Sequence, residues 1–193
     1  MMDRTLSWNE QITSLASKLN KACFAVRMVK SCMSREVLRM IYFSYVHSIM
    51  AYGIIFGGNS HSSGTIFKIQ KRIIKLINNS DRRESYRKLF QELQILPLAS
   101  QYILSFLIFV NKNRRLFLSN SDIYNINTRY NLNLHLPSTK LTIVQKGVLY
   151  SGSKIYNCLQ LRIKALSSDA KGFKSTLKKY LMEHAFYSLE EYF

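Results

Sequence analysis

Thr65-Ile66-Phe67-Lys68-Ile69-Gln70-Lys71-Arg72-Ile73-Ile74-Lys75-Leu76-Ile77-Asn78-Asn79 sorts its side chains onto two faces at the period of an α-helix. Ile66, Ile69, Ile73 and Ile77 recur at steps of three and four. Lys68, Lys71, Arg72 and Lys75 follow at i, i+3, i+4 and i+7. At about 100° per residue the cations form one stripe opposite the isoleucines. A helix divided in this way draws its stability from packing its apolar face on other elements. The question for the rest of the chain is what covers those isoleucines and what meets those cations.

Working upstream, Ser34 is suited to cap a helix running from Arg35 to about Phe56, with Gly57-Gly58 as the stop and Val37, Leu38, Ile41, Tyr45, Ile49 and Tyr52 as its apolar stripe. Before it, Ser7-Trp8-Asn9-Glu10 has capping-box spacing and opens a helix to about Lys30 through Ile12, Leu15, Ala16, Leu19, Cys23 and Val26. Downstream, Ser85 to Leu93 predicts a short helix closed before Pro97, because the residue preceding proline avoids the helical region. Leu98 to about Leu118 predicts a longer one through Ile103, Leu104, Leu107, Ile108 and Asn111, with Arg114 and Arg115 in its last turns.

After Ser119 the chain becomes rich in Asn, Ser and Thr, and Asn131-Leu-Asn-Leu-His-Leu136 alternates with the period of a strand. A terminal helix follows through Phe173, Leu177, Leu181 and Ala185, then a Ser188-Leu-Glu-Glu191 cap and a final turn. The expected architecture is mainly α, a helical bundle over 1–118 followed by a small mixed α/β part over 119–193. With no repeat or low-complexity linker between them, the two parts are expected to pack together.

The 193 residues carry 28 Lys plus Arg against 11 Asp plus Glu, a formal charge of +17. With 47% hydrophobic residues the chain can build a core, so the surplus belongs to a folded surface and points to a polyanionic partner. Three cysteines at wide spacing, Cys23, Cys32 and Cys158, fit buried thiols in a reducing intracellular compartment, nucleus or cytoplasm, better than a disulfide framework. The first residues lack the apolar core of a secretory signal. The uncharged window Met40 to Phe67 is long enough to span a bilayer, but its polar residues and helical spacing favour a buried amphipathic helix.

Catalytic patterns are weak. The adjacent acidic pair Glu190-Glu191 reads as a solvated cap rather than a metal-holding or proton-trading pair. Gly147-Val-Leu-Tyr-Ser-Gly152-Ser153-Lys154 imitates a phosphate-binding loop until its end, where serine and lysine are transposed. His47, His61, His135 and His184 lack zinc-ligand spacing. No cofactor or small-molecule substrate is expected. The basic stripe is different: in an average protein it would be a solvated face, but here it has no acidic residue four positions away, and Arg82, Arg83, Arg87 and Lys88 extend it. Phosphate contact with little base reading is the expectation.

Several segments, in order, resemble the region downstream of the palm in jockey- and CR1-like non-LTR retrotransposon reverse transcriptases. Asp3-Arg-Thr-Leu6-Ser-Trp8-Asn-Glu-Gln-Ile12 is similar to the element that follows the primer grip, with Gln11 for the usual histidine. Ala51-Tyr52-Gly53-Ile54-Ile55-Phe56-Gly57 resembles the thumb signature, with Phe56 for tryptophan. Ile69-Gln70-Lys71-Arg72, Ile95-Leu-Pro97-Leu98 and Asn127-Thr128-Arg129 keep the family's order. Tyr150-Ser-Gly152-Ser-Lys-Ile155-Tyr156-Asn157 and Phe173-Lys-Ser-Thr-Leu177 up to Phe186-Tyr187-Ser188 resemble its C-terminal block, with Gln160 where a proline is usual.

The resemblance implies a thumb and post-thumb fragment of an RNA-directed DNA polymerase that cradles an RNA or DNA template–primer. The fingers and palm, with the catalytic carboxylates and their magnesium, would lie on another piece, and no Asp-Asp dipeptide occurs in this chain. The rival expectation is a helical protein-interaction module derived from a mobile element.

Overall fold

The computed structural model describes residues 8–60, 62–79, 84–124, 129–131 and 133–193. These residues are mainly helical. Helix α1 (Asn9–Val29) ends within a residue of its expected limit. Ser7, its expected cap, lies outside the described residues. Trp8 precedes the helix in the left-handed region, at φ 60°.

The second helical run corrects the sequence expectation in two ways. Helix α2 (Arg35–Ile41) passes into a π-helical turn (Tyr42–His47) and then α3 (Ser48–Ala51). Its buried residues are Leu38, Tyr42, Val46 and Met50, one every fourth position, whereas Tyr45 and Tyr52 of the expected stripe are exposed. A stripe repeating every four residues outruns the 3.6-residue α-turn, and a wider π turn brings it back to one face. The run also stops early. Tyr52 is extended and Gly53 takes φ 69°, a left-handed conformation that glycine adopts without strain, so the chain turns there and not at Gly57-Gly58. Ser34 caps α2 as expected, its Oγ accepting from the Val37 N–H at 3.4 Å.

A one-turn helix α4 (Ile54–Gly57) leads to α5 (Ser63–Asn78), followed by α6 (Tyr86–Glu92) and α7 (Leu98–Lys112). Helix α7 lies at the centre, burying Leu98, Tyr102, Ile103, Leu104, Phe106, Leu107 and Val110. It ends sooner than expected because Asn113 leaves the helical region and its Nδ2 donates back to the Phe109 carbonyl at 2.9 Å. Arg114 and Arg115 therefore sit in a separate 3₁₀ turn (Arg114–Leu116).

Beyond Ser119 come α8 (Asn120–Tyr124), α9 (Thr142–Gln145), α10 (Val148–Asn157), α11 (Leu161–Lys164) and α12 (Ala170–His184). Among the described residues the expected strand at 131–136 amounts to one antiparallel bridge, Ser119 to Leu134. The far side of Leu134 is occupied by Asn157, whose Oδ1 accepts from the Leu134 N–H and whose Nδ2 donates to its carbonyl, each at 2.8 Å. A side-chain amide thus satisfies backbone groups that a further strand would have paired.

The phosphate-loop imitation at 147–154 is helix from Val148 onward. A Cβ on Gly152 would lie 3.0 Å from Val110 Cγ2 and 3.1 Å from Phe117 Cε1, so this glycine lets α10 approach α7 closely. Helices α10 and α12 both pack on α7, and one apolar core includes residues from both sides of Ser119. The thiols differ from expectation: Cys23 is buried, but Cys32 and Cys158 are exposed. Among the described residues no helix is long and apolar enough to cross a membrane.

One buried polar side chain ties the first half together. Gln70, on the core face of α5, donates Nε2 to the Tyr42 hydroxyl at 2.8 Å and to the Leu96 carbonyl at 2.9 Å. Its Oε1 accepts from the Leu98 N–H at 3.0 Å. Gln70→Met keeps the volume but leaves three buried groups without partners, at about 1–3 kcal/mol for each group left unsatisfied. We expect a loss of about 3 kcal/mol or more in urea unfolding, with native helical circular dichroism retained in buffer; a loss below roughly 1 kcal/mol would contradict the role given to Gln70.

Candidate nucleic-acid interface

Helix α5 exists because Ile66, Ile69, Ile73, Ile74 and Ile77 are buried together with Gln70, packed mainly on α1 with α6, α2 and α7 beside it. Each isoleucine removed from water contributes roughly 1.5–3 kcal/mol. That fixes the helix's rotation, and the cationic stripe has only the outward direction left. Lys68 and Arg72 are exposed, and Lys71 and Lys75 are half-buried at the edge of the stripe nearer α6.

The half-burial has a chemical cause. The Lys71 ammonium lies 4.4 Å from the ring centre of Phe67, 5.2 Å from that of Tyr187 and 5.4 Å from that of Tyr86. Lys75 Nζ lies 4.6 Å from the Tyr86 ring. Phe67 and Tyr187 meet edge to face at 5.0 Å, and Phe90 joins them from α6. Aromatic faces attract a cation without occupying its N–H donors as a carboxylate would. The Lys71 stem is therefore held in place while no carboxylate among the described residues cancels its charge. Burial pushes the Tyr187 phenol above its ordinary pKa, with the Arg87 guanidinium opposing, so the ring remains neutral.

Arg87 and Lys88 are brought near the stripe but are used differently. Arg87 pairs with Glu191 at 2.9 Å and lies over the Tyr187 ring at 4.7 Å. Lys88 is 4.0 Å from Glu92, which also holds Arg35 at 3.5 Å. These exposed pairs are weak in energy, but they reduce the positive charge at both side chains. Arg82 and Arg83 lie outside the described residues. Among the described residues, no carboxylate lies within ion-pair distance of Lys68, Lys71 or Arg72.

Glu190-Glu191 closes the final turn. The Tyr187 N–H donates to Glu191 at 3.0 Å and the Glu191 N–H donates to Ser188 Oγ at 3.3 Å. Hydrogen bonding from Ser188 and the backbone holds Glu190 below the usual carboxylate pKa. Among the described residues no cluster of three or more His, Cys, Asp or Glu side chains is placed to hold a metal ion. His47 is held below the ordinary histidine pKa by burial first and then by the charge of Lys178.

Phe67 was within reach of sequence reasoning, since it precedes Lys71 by one helical turn. Tyr86 and Tyr187 were not, because only the folded chain carries them to α5. Compared with protein-family models, curated proteins and solved structures, the chain finds no match.

The geometry separates neighbouring lysines. Lys71→Met removes an ammonium shared by three rings and should cost about 1–2 kcal/mol of stability. Lys68→Met removes a solvated charge and should change stability by less than about 0.5 kcal/mol. Equal effects in parallel thermal and urea unfolding would show that the rings do not hold Lys71.

Proposed function

We propose that the chain grips nucleic acid through the phosphate backbone, as a thumb and post-thumb piece of a non-LTR RNA-directed DNA polymerase whose fingers, palm and magnesium belong to another segment. The carrying observation is the α5 face: Lys68, Lys71 and Arg72 project from a helix whose rotation the core fixes, and no acidic partner offsets them among the described residues. From Lys68 to Lys75 the line extends roughly 10 Å along the helix axis. Duplex phosphates follow one another at about 3.4 Å of axial rise per strand, so such a line spans the axial rise of about three of them. In this reading 1–118 is the thumb-like unit, and 119–193 is a smaller mixed α/β part that supports it, with the Ser119–Leu134 pairing as its β element.

Four of the segments that carry the family resemblance meet in two pairs, which supports reading them together. Trp8 stacks on Phe56 with ring centres 5.7 Å apart, joining the first segment to the second. Gln70 joins the third to the fourth through Leu96 and Leu98.

A second reading, a helical protein-interaction module, draws on Phe24 and Met28, which lie one turn apart on the outer face of α1 and are 63% and 62% exposed. That face suits an apolar partner better than a phosphate strand. The two readings differ in salt response, since apolar association resists salt and phosphate contact does not.

Charge reversal at the four α5 positions (Lys68→Glu, Lys71→Glu, Arg72→Glu, Lys75→Glu) should abolish binding of a labelled RNA–DNA hybrid while helical circular dichroism survives. In the unaltered protein, log affinity should fall with log salt at about −0.9 per phosphate contact on duplex. Undiminished affinity in the folded variant, or a flat salt response in the parent, would refute the proposal.

A further inference from the structure

The α5 stripe has a counterpart elsewhere in the fold. Lys171, Lys174 and Lys178 stand at i, i+3 and i+7 on α12, and all three are exposed. Phe173, Leu177 and Leu181 of the same helix are buried against the core, so packing fixes the rotation of α12 as it fixes that of α5. Lys179 lies off this line, with Glu183 one turn beyond it.

Among the described residues the ion pairs engage Arg35, Arg87 and Lys88, and none of the α12 lysines. The nearest acidic residue before the line, Asp169, is committed to capping the helix, its Oδ1 accepting from the Lys171 N–H at 3.0 Å. The charge of Lys178 also reaches the imidazole of His47 in the π turn.

We propose that Lys171, Lys174 and Lys178 form a second line of phosphate contacts, so that the protein holds a duplex along two separate stretches of backbone. This rests on the nucleic-acid reading above and extends it to residues in the part beyond Ser119. A lone lysine stripe on a surface helix is ordinarily solvated. Here two such lines, each roughly 10 Å long, stand on helices that pack on the same central α7. Further ties bind α12 and the segment after it to this frame. Gln91 Nε2 of α6 donates to the Glu183 carbonyl at 2.8 Å, and Ser100 Oγ of α7 donates to the Phe186 carbonyl at 3.2 Å. The two lines are thus held on one frame, and a ligand that meets both is an extended polyanion rather than a small anion. Phosphate contacts position without reading sequence, so the second line adds affinity and orientation rather than base preference.

The test compares Lys171→Gln/Lys174→Gln/Lys178→Gln with the unaltered protein and with the four-site α5 variant, on a fluorescent RNA–DNA hybrid hairpin over a range of salt. Glutamine removes charge while keeping an exposed polar helix former, and thermal unfolding checks that the fold is unaltered. The expected result is a salt slope shallower by about 2–3 for the α12 variant, close to 0.9 for each phosphate that is no longer neutralised. If the parent binds, the α5 variant does not, and the α12 variant keeps the parent's slope, the second line is overturned while the first stands. If the parent fails to bind the hybrid, both fall together. A Lys→Glu version of the same three sites should weaken binding further, and its failure to do so would also overturn the proposal.

Discussion

Five isoleucines and a glutamine on α5 must leave water, and that single requirement orients the rest of the first half of the molecule. Burying Ile66, Ile69, Ile73, Ile74 and Ile77 sets the rotation of α5, and Gln70 then sets which elements meet it. A buried amide with four hydrogen-bonding sites needs several partners, or it destabilises the core it sits in. Tyr42, Leu96 and Leu98 supply them at 2.8–3.0 Å, from the π turn on one side and the entry to α7 on the other. The requirement that packs the core therefore also directs Lys68, Lys71, Arg72 and Lys75 outward as one row.

The row is not uniform, and the difference is electrostatic. Lys71 rests over aromatic rings that favour a cation yet do not neutralise it, while Arg87 and Lys88 lie near carboxylates that do. A lysine whose stem is already ordered loses less rotamer entropy on meeting a phosphate than one free in solvent. The aromatic cluster of Phe67, Phe90, Tyr86 and Tyr187 thus serves packing and charge presentation together. It also ties the end of the chain to α5, since Tyr187 follows α12 and is anchored by Glu191.

Much of the helical order was legible because it depends on local periodicity. The C-terminal limit of α1, the Ser34 cap, the α6 helix and the two faces of α5 follow from spacing alone. What was not legible depended on distant partners. The buried stripe of the second helical run falls one position away from the one that local spacing suggests, since a π turn changes the period within the run. Tyr42 faces inward there because Gln70 of α5 accepts it as a neighbour. The alternation at 131–136 did mark extended backbone at Leu134, but the groups that complete its pairing come from Ser119 and the Asn157 side chain, which no local pattern announces. In the candidate site the cations were legible and their environment was not. Arg87 and Lys88 look equivalent to Lys71 in sequence and differ once Glu191, Glu92 and Tyr187 are placed.

A chain with a formal charge of +17 pays for its surface in self-repulsion, so each exposed lysine line is mildly unfavourable to the folded state. Added salt screens that repulsion between charges more than a Debye length apart, about 10 Å at 0.1 M and shorter as salt rises, so it acts between the lines and, at higher salt, along the roughly 10 Å length of each. The same salt weakens phosphate binding, because less is gained by releasing counterions into a solution that already holds many. Stability and binding should therefore respond to ionic strength with opposite signs. A merely solvated basic surface carries the first response without the second. That difference separates a basic surface that meets a polyanion from one that meets only water and counterions.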